Sequence, residues 1–258
     1  MYNLIISYNI IYIKKDFSRK KGVFMLTKSK NFILIGIYLV GMYIFPALVA
    51  PIIVGLRGYT LEYFQGYGFF TIMSLTNFTI YGVLCVILLL LTHKIFKQDF
   101  QKIDSWGNFW GQMGIGLACT FGAAILGNTI VMLLGTTDTA ANQELLESAL
   151  AAMPFFMIIT IIFLGPIVEE IIFRLVLMNL FNWKPIHNLI FSSLIFGLIH
   201  VLVGGWIHII PYFLMGLVFG YFYLKNNNIW HVTILHILHN GLTVLLVFWA
   251  QHMLELYG

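Results

Sequence analysis

The sequence predicts an all-α membrane protein, a polytopic transmembrane helical bundle of about seven spans. The composition supports this class, because 60% of the 258 residues are hydrophobic, only 9% are charged, and the mean hydropathy is +0.91. A soluble domain carries about 25% charged residues, since charges cover most of its wet surface. The composition therefore excludes a water-soluble globule.

Seven apolar runs are long enough to cross a bilayer, which takes about 20 helical residues. They cover residues 31–55, 72–92, 106–134, 152–180, 187–204, 206–224 and 229–250. The last three runs are joined by very short connections, so we expect antiparallel neighbours. The break at Gly204-Gly205 indicates that the fifth and sixth runs are less regular than the others.

The basic residues mark one side of this bundle. With the N-terminus inside, 12 of the 14 Lys and Arg residues fall in inner segments, whereas only Arg57 falls in an outer one. The segment 135–150 is acidic and is predicted to be an outer loop. Positive charge accumulates on the cytoplasmic side of membrane proteins. We therefore expect a multi-pass protein of the cell membrane with a cytoplasmic N-terminus and lipid as a partner, and no binding of nucleic acid.

Three segments organise the chain: a cytoplasmic N-terminal segment (1–30), N-terminal transmembrane helices (31–135) and a C-terminal core (150–245). In the first segment, the apolar stretch 1–13 is too short to span. A basic cluster follows it, whereas basic residues precede the apolar region of a signal peptide. Met25 is an alternative start. Cys85 and Cys119 lie in apolar stretches and offer no disulfide framework.

Three charged residues lie where a bilayer should exclude them. Glu169, Glu170 and Arg174 fall in the fourth span, and an ionisable side chain in hydrocarbon costs about 2.5–3.5 kcal/mol. Glu170 and Arg174 are four residues apart, so they share a helical face and can pair. Glu169 points about 100° away and is available for another task. The purely structural alternative is an ion-pair knot that fixes helix packing. Gly165-Pro166, just before the acids, can kink the span.

Other polar residues are predicted deep in the later spans. His200 lies in the fifth span, and His236 and Asn240 lie four apart on one face of the seventh. At about 1.5 Å per residue from the inner ends, all three reach the layer of Glu170. Polar residues from three spans at similar depth predict a site inside a buried catalytic cavity.

Two carboxylates, two imidazoles and an amide, with no nucleophilic Ser or Cys among them, indicate hydrolysis by an activated water. A positioned carboxylate can act as general base, and His and Asn can donate hydrogen bonds to a developing oxyanion. His and Glu could equally hold a divalent ion such as Zn, which would acidify the water. The residues leave both mechanisms open. Neither His-Glu-x-x-His nor Gly-x-Ser-x-Gly occurs, so zincin and serine membrane proteases are not supported.

Three motifs in succession resemble those of the CAAX protease and bacteriocin-processing (CPBP, or Abi) family. Glu169-Glu170-Ile-Ile-Phe-Arg174 matches Glu-Glu-x-x-x-Arg, Phe196-Gly-Leu-Ile-His200 matches Phe-x-x-x-His, and His236-Ile-Leu-His-Asn240 matches His-x-x-x-Asn. The resemblance covers residues 150–245. It implies an intramembrane endopeptidase that hydrolyses a peptide bond of a peptide or membrane-protein substrate.

The resemblance also implies a role for each motif residue. Glu169 would be the general base, helped by His200, while His236 and Asn240 would bind the oxyanion. Glu170 would support the pair by holding Arg174.

The family is usually described as metalloprotease-like, although a glutamate mechanism without metal is also argued. If a metal is used, Glu169, His200 and His236 would hold Zn or another divalent ion. Two other functions stay open. A non-catalytic membrane scaffold, or a bacteriocin-immunity or regulatory protein of the same fold, would keep its function with these three residues replaced. A small-ion or proton transporter would also use buried Glu and His.

Overall fold

The computed structural model describes residues 26–57, 67–136 and 141–257, and their regular structure is helical throughout. Ten α-helices are described in these ranges: α1 (Lys28–Leu39), α2 (Phe45–Arg57), α3 (Tyr67–Gln101), α4 (Trp106–Leu133), α5 (Ala141–Ala152), α6 (Pro154–Ile159), α7 (Gly165–Glu170), α8 (Pro185–His200), α9 (Ile209–Asn226) and α10 (Ile229–Tyr257). π-Helical turns at Val40–Ile44, Thr160–Leu164 and Ile171–Val176 join α1 to α2, α6 to α7, and α7 to a 3-10 turn at Leu177–Asn179.

The all-α polytopic bundle is confirmed. Within the described part of the chain, six helical stretches are long and apolar enough to cross a membrane, and α8 is a shorter apolar helix between the fourth and the fifth of them. The six stretches are Lys28–Leu56, Gly68–Gln101, Trp106–Leu133, Pro154–Asn179, Trp206–Asn226 and Ile229–Met253. Together with α8 they correspond to the seven predicted runs.

Two segments differ from the sequence-based expectation. The fifth span is shorter than residues 187–204, because α8 ends at His200 and a turn with positive φ at Gly204 (133°) and Gly205 (68°) follows. The acidic segment predicted as an outer loop contains α5, whose Ala, Leu and Glu residues are strong helix formers. The Ser74 hydroxyl donates to the Ala149 carbonyl (2.9 Å) and so holds α5 against α3.

Hydrogen bonds join the connections at one end of the bundle. The Asp99 carboxylate, at the end of α3, accepts from the backbone N–H of Ile229 (3.0 Å) and caps α10, and Asn228 donates to the Asp99 carbonyl (2.6 Å). At the same end, Asn179 donates to the Tyr223 hydroxyl (3.4 Å). We call this the basic end, since its connections and helix termini carry Lys28, Lys30, Lys94, Lys97, Lys102, Lys184 and Lys225. The opposite, acidic end carries Glu144 and Glu147 on α5.

Helix α9 packs at the centre of the core, between α4 and α8. A Cβ on Gly127 of α4 would overlap the Pro211 Cα of α9 and lie 2.7 Å from its Cβ. On the other side, a Cβ on Gly216 would lie 3.1 Å from the Ser193 Cα of α8. Small residues allow this close backbone approach, which is a common basis of helix packing in membranes.

We expect Gly127→Ala to destabilise the protein, because the added methyl would push α4 away from the Pro211 backbone. Gly122→Ala on the same helix is the matched control, since no atom lies within 4 Å of a Cβ there. The thermal unfolding temperature of each variant in detergent checks this. Gly127→Ala should melt several degrees lower, and equal melting of the two variants would contradict the packing argument.

Candidate active site

The helical stretch that carries the acids departs from α-helical geometry before and after them. At the end of the π-helical turn Thr160–Leu164, the Gly165 N–H donates to the Thr160 carbonyl, five residues back. The next N–H in this register would reach the Ile161 carbonyl, but residue 166 is proline and has no N–H. The Asn240 side chain of α10 donates to the Ile161 carbonyl instead (2.9 Å). Asn240 thereby satisfies a backbone acceptor that the proline leaves open.

Glu170 is completely buried, and its carboxylate accepts hydrogen bonds from two side chains. Its carboxylate accepts from Arg174 Nε at 2.9 Å, as the four-residue spacing predicts, and from His236 Nδ1 at 2.7 Å. Burying a carboxylate is costly unless it is paired and hydrogen-bonded. Glu170 therefore serves as an internal anchor that joins the fourth span to α10.

Arg174 extends this network to α8. Its Nη1 donates to the Ser192 hydroxyl (3.0 Å), and that hydroxyl donates to the Phe173 carbonyl (2.7 Å). The guanidinium also lies 5.5 Å from the centre of the Phe196 ring, a cation–π distance. Ser192 was not among the site residues predicted from the sequence. Arg174 thus contacts α8 at Ser192 and Phe196. Since His200 lies one helical turn after Phe196, these contacts also help to position His200.

Glu169 points away from this anchor, toward two imidazoles. Its Oε2 lies 4.0 Å from His200 Nε2 and 3.9 Å from His236 Nε2. The Glu169 residue is 8% exposed, whereas the His200 side chain is 18% exposed. The structure thus brings together Glu169, His200 and His236 from three separate spans, and Asn240 lines the same cavity.

Hydrogen bonding determines which imidazole nitrogens carry protons. His200 Nδ1 lies 2.7 Å from the Phe196 carbonyl, and His236 Nδ1 lies 2.7 Å from the Glu170 carboxylate. Both partners can only accept, so each Nδ1 carries a proton, and Nε2 presents a lone pair when the ring is neutral. Three acceptor atoms then surround the gap beside Glu169. Two acceptors bridged by one water lie roughly 4–5 Å apart, so the gap suits a water that donates to two of them.

Aromatic rings hold both imidazoles in place. Tyr212 stacks on His200 with ring centres 4.6 Å apart, and Phe219 stacks on His236 at 4.4 Å. Phe196 lies 4.4 Å from His200 on another side. Neither Tyr212 nor Phe219 was predicted as a site residue, because in sequence both are ordinary members of an aromatic-rich apolar helix.

A cavity of about 880 Å³ encloses the site. This volume lies in the range of substrate pockets. Its walls come from most of the long helices and are largely apolar and aromatic. His239 also lines it, and its Nδ1 lies 3.1 Å from the Thr120 hydroxyl. The cavity is large enough for a peptide segment.

The donor spacing does not fit the predicted metal site in this arrangement. Two ligands of a tetrahedral ion at about 2.1 Å lie roughly 3.4 Å apart, whereas Glu169 Oε2 is 3.9 and 4.0 Å from the two imidazole nitrogens. Among the described residues, no group of three or more His, Cys, Asp or Glu is arranged to hold a metal ion. No catalytic step is therefore assigned to a metal, and metal use stays a prediction.

The fold and the site define a multi-pass membrane protein with a glutamate and two histidines inside an intramembrane cavity. Residues 151–242 match the family described as "Type II CAAX prenyl endopeptidase Rce1-like". This match, with the relatives below, shows that this segment belongs to the CPBP family, as its three motifs indicate.

Two curated relatives are similar to longer parts of the chain. A candidate membrane peptidase of Bacillus subtilis, YdiL, is 28% identical over 169 residues, which are 62% of this chain and 66% of YdiL. An uncharacterised protein of Mycoplasma capricolum is 30% identical over 147 residues, 52% of this chain and 43% of that protein. The chain therefore spans less than two thirds of the length of each. No solved structure matches.

We expect Pro166 and Asn240 to be energetically coupled. Asn240→Leu should destabilise the protein by about 1–3 kcal/mol, because the half-buried Ile161 carbonyl loses its donor. In a Pro166→Ala background, the restored N–H can reach this carbonyl, and the cost of Asn240→Leu should fall by about 1 kcal/mol. Denaturant unfolding of the four variants in detergent measures this cycle, and additive effects would contradict the assignment.

Proposed function

We propose that the protein is a membrane-embedded endopeptidase of the CAAX-protease type, which hydrolyses a peptide bond of a peptide or membrane-protein substrate by an activated water. One observation carries the proposal: the Glu169 carboxylate faces the Nε2 atoms of His200 and His236 across a water-sized gap in a large cavity. The family match supports a membrane protease at the level of the family.

In the first step, Glu169 and His200 orient the water. The water donates one hydrogen bond to Glu169 Oε2 and one to His200 Nε2, which leaves an oxygen lone pair for the carbonyl carbon. As the C–O bond forms, Glu169 takes the proton as general base. Stacking on Tyr212 and the Nδ1–H bond to the Phe196 carbonyl keep the His200 ring from turning away.

The developing oxyanion needs donors on the other side of the carbonyl. His236 can donate at Nε2 only as an imidazolium, because its Nδ1 proton is already bonded to Glu170. The second N–H of the Asn240 amide is not used by the Ile161 carbonyl and can serve as a further donor. Preorganised donors of this kind contribute about 2.7–4 kcal/mol each to transition-state stabilisation.

In the second step, the tetrahedral intermediate collapses and the C–N bond breaks. Glu169 returns its proton to the leaving nitrogen, so the products are a carboxylic acid and an amine, and the carboxylate of Glu169 is regenerated. The reaction consumes one water and leaves the enzyme unchanged.

We expect Glu169→Gln to lower processing by about 10²–10⁴-fold, because the amide cannot accept the water proton. His200→Ala should act in the same direction. Glu144→Gln, an exposed acid on α5, is the matched control and should process normally. Comparison of membrane and secreted peptidomes from cells with each variant measures processing and identifies the substrate.

Accumulation and thermal unfolding of each variant separate a lost activity from a lost fold. Normal processing by Glu169→Gln would overturn the proposal. If the biological function survived with Glu169, His200 and His236 all replaced, the scaffold or immunity function would be favoured instead.

We expect proteolysis to survive removal of metal, because Glu169 Oε2 lies 3.9 and 4.0 Å from the two Nε2 atoms, farther than the roughly 3.4 Å between two ligands of a tetrahedral ion. Purified protein dialysed against EDTA, then assayed with and without 1,10-phenanthroline, should retain its activity. If chelation abolishes cleavage and Zn²⁺ restores it, Glu169, His200 and His236 must rearrange to hold the ion, and the metal-free mechanism is wrong.

A further inference from the structure

The cavity extends from the proposed catalytic residues toward the acidic end of the bundle. Its wall includes Thr136 beyond α4, Gln143 and Glu147 of α5, and Leu202 and Val203 beyond α8. Val203 is 59% exposed, so the wall reaches the surface there. None of the seven lysines of the basic end lines it. The site is therefore reached from the acidic end.

Among Asp, Glu, Lys and Arg, only acidic residues occur in the described cavity lining. Two carboxylates line it, Glu169 at the proposed catalytic centre and Glu147 on α5, and no Lys or Arg does. Glu147 is half-buried, and its Oε1 accepts from the Gln143 amide (2.8 Å). A cleft lined by one sign of charge concentrates ligands of the other sign. The lining thus favours a cationic ligand.

The charge of the two ends indicates how the bundle lies in the membrane. Seven lysines are placed at the basic end, whereas Arg57, at the end of α2, is the one basic residue at the acidic end in the described ranges. Lys and Arg accumulate on the cytoplasmic side. This asymmetry places the acidic end, and with it the cavity mouth, on the extracytoplasmic side.

On the basis of the proposed function, we propose that the protease receives its substrate from the extracytoplasmic side and that Glu147 binds a basic residue of that substrate. The substrate class is an exported cationic peptide, or the outward-facing basic segment of a membrane protein. A Lys or Arg side chain at the mouth forms a charge-assisted hydrogen bond to Glu147 and sets which peptide bond reaches Glu169.

Cysteine labelling in intact cells tests the side of the membrane. The background carries Cys85→Ala and Cys119→Ala, which removes both native thiols. Single cysteines are then introduced as Glu144→Cys and Glu147→Cys on α5 and as Lys97→Cys at the basic end. The probe is a membrane-impermeant maleimide, applied before and after permeabilisation.

We expect Glu144→Cys and Glu147→Cys to react in intact cells and Lys97→Cys to react only after permeabilisation. Glu144 is exposed on the same helix, so it reports the side even if the half-buried position 147 reacts slowly. The reverse pattern, with Lys97→Cys labelled in intact cells, overturns the proposal. This readout does not depend on proteolysis.

Cleavage of a defined mixture of synthetic 14-residue peptides by the purified protein tests the role of Glu147. Mass spectrometry should show Lys or Arg enriched at one fixed distance from the cleaved bond. Glu147→Gln should reduce cleavage of those peptides about tenfold, the effect of one charge-assisted hydrogen bond. Glu147→Lys should move the preference to Asp or Glu at that position, and Glu144→Gln should keep the wild-type profile.

An unchanged basic preference in Glu147→Lys, or none in the wild type, overturns the assignment of Glu147. Cleavage that Glu169→Gln leaves intact, or no cleavage of any peptide, contradicts the proposed function instead. In that case the labelling still decides from which side the cavity opens.

Discussion

The buried carboxylate of Glu170 is the interaction on which the rest of the site depends. An uncompensated charge at this depth would cost several kcal/mol, and two partners from different parts of the chain compensate it. Arg174 belongs to the same span, whereas His236 belongs to α10. Arg174 also reaches α8 through Ser192. Three spans are thereby held in one register, and that register brings Glu169, His200 and His236 together.

Departures from α-helical geometry let the short helix α7 direct its two adjacent acids to different surroundings. π-Helical turns on both sides of Gly165–Glu170 change the direction in which the acids project, and such turns are frequent at functional sites. Glu170 consequently faces the sealed anchor and Glu169 faces the cavity. Pro166 leaves the Ile161 carbonyl open, and Asn240 satisfies it. The asparagine of the third motif thus has a structural task as well as its proposed catalytic one.

The spans and the ion pair could be predicted from the sequence, because hydropathy and four-residue spacing are local signals. The helix α5 was missed, since a short acidic segment between two spans also suits a loop. Tyr212, Phe219 and Ser192 were missed for another reason. Their positions relative to His200, His236 and Arg174 depend on how α8, α9 and α10 pack, and no local pattern reports that packing. In an aromatic-rich membrane helix, the few aromatic residues that touch a site look like all the others.

Packing along the bundle separates the closed and the open regions around the site. Near the basic end a Cβ on Gly220 of α9 would overlap Leu189 of α8, and Asp99 bonds the start of α10 to the end of α3. From Glu169 toward the acidic end, a cavity of about 880 Å³ remains between the helices, although α4 and α9 stay in close contact at Gly127 and Pro211. Side-chain exposure rises from the anchor to the cavity, from 0% for Glu170 to 11% for Glu169 and 18% for His200. Glu169 therefore faces the cavity, whereas the Glu170 anchor behind it is completely buried.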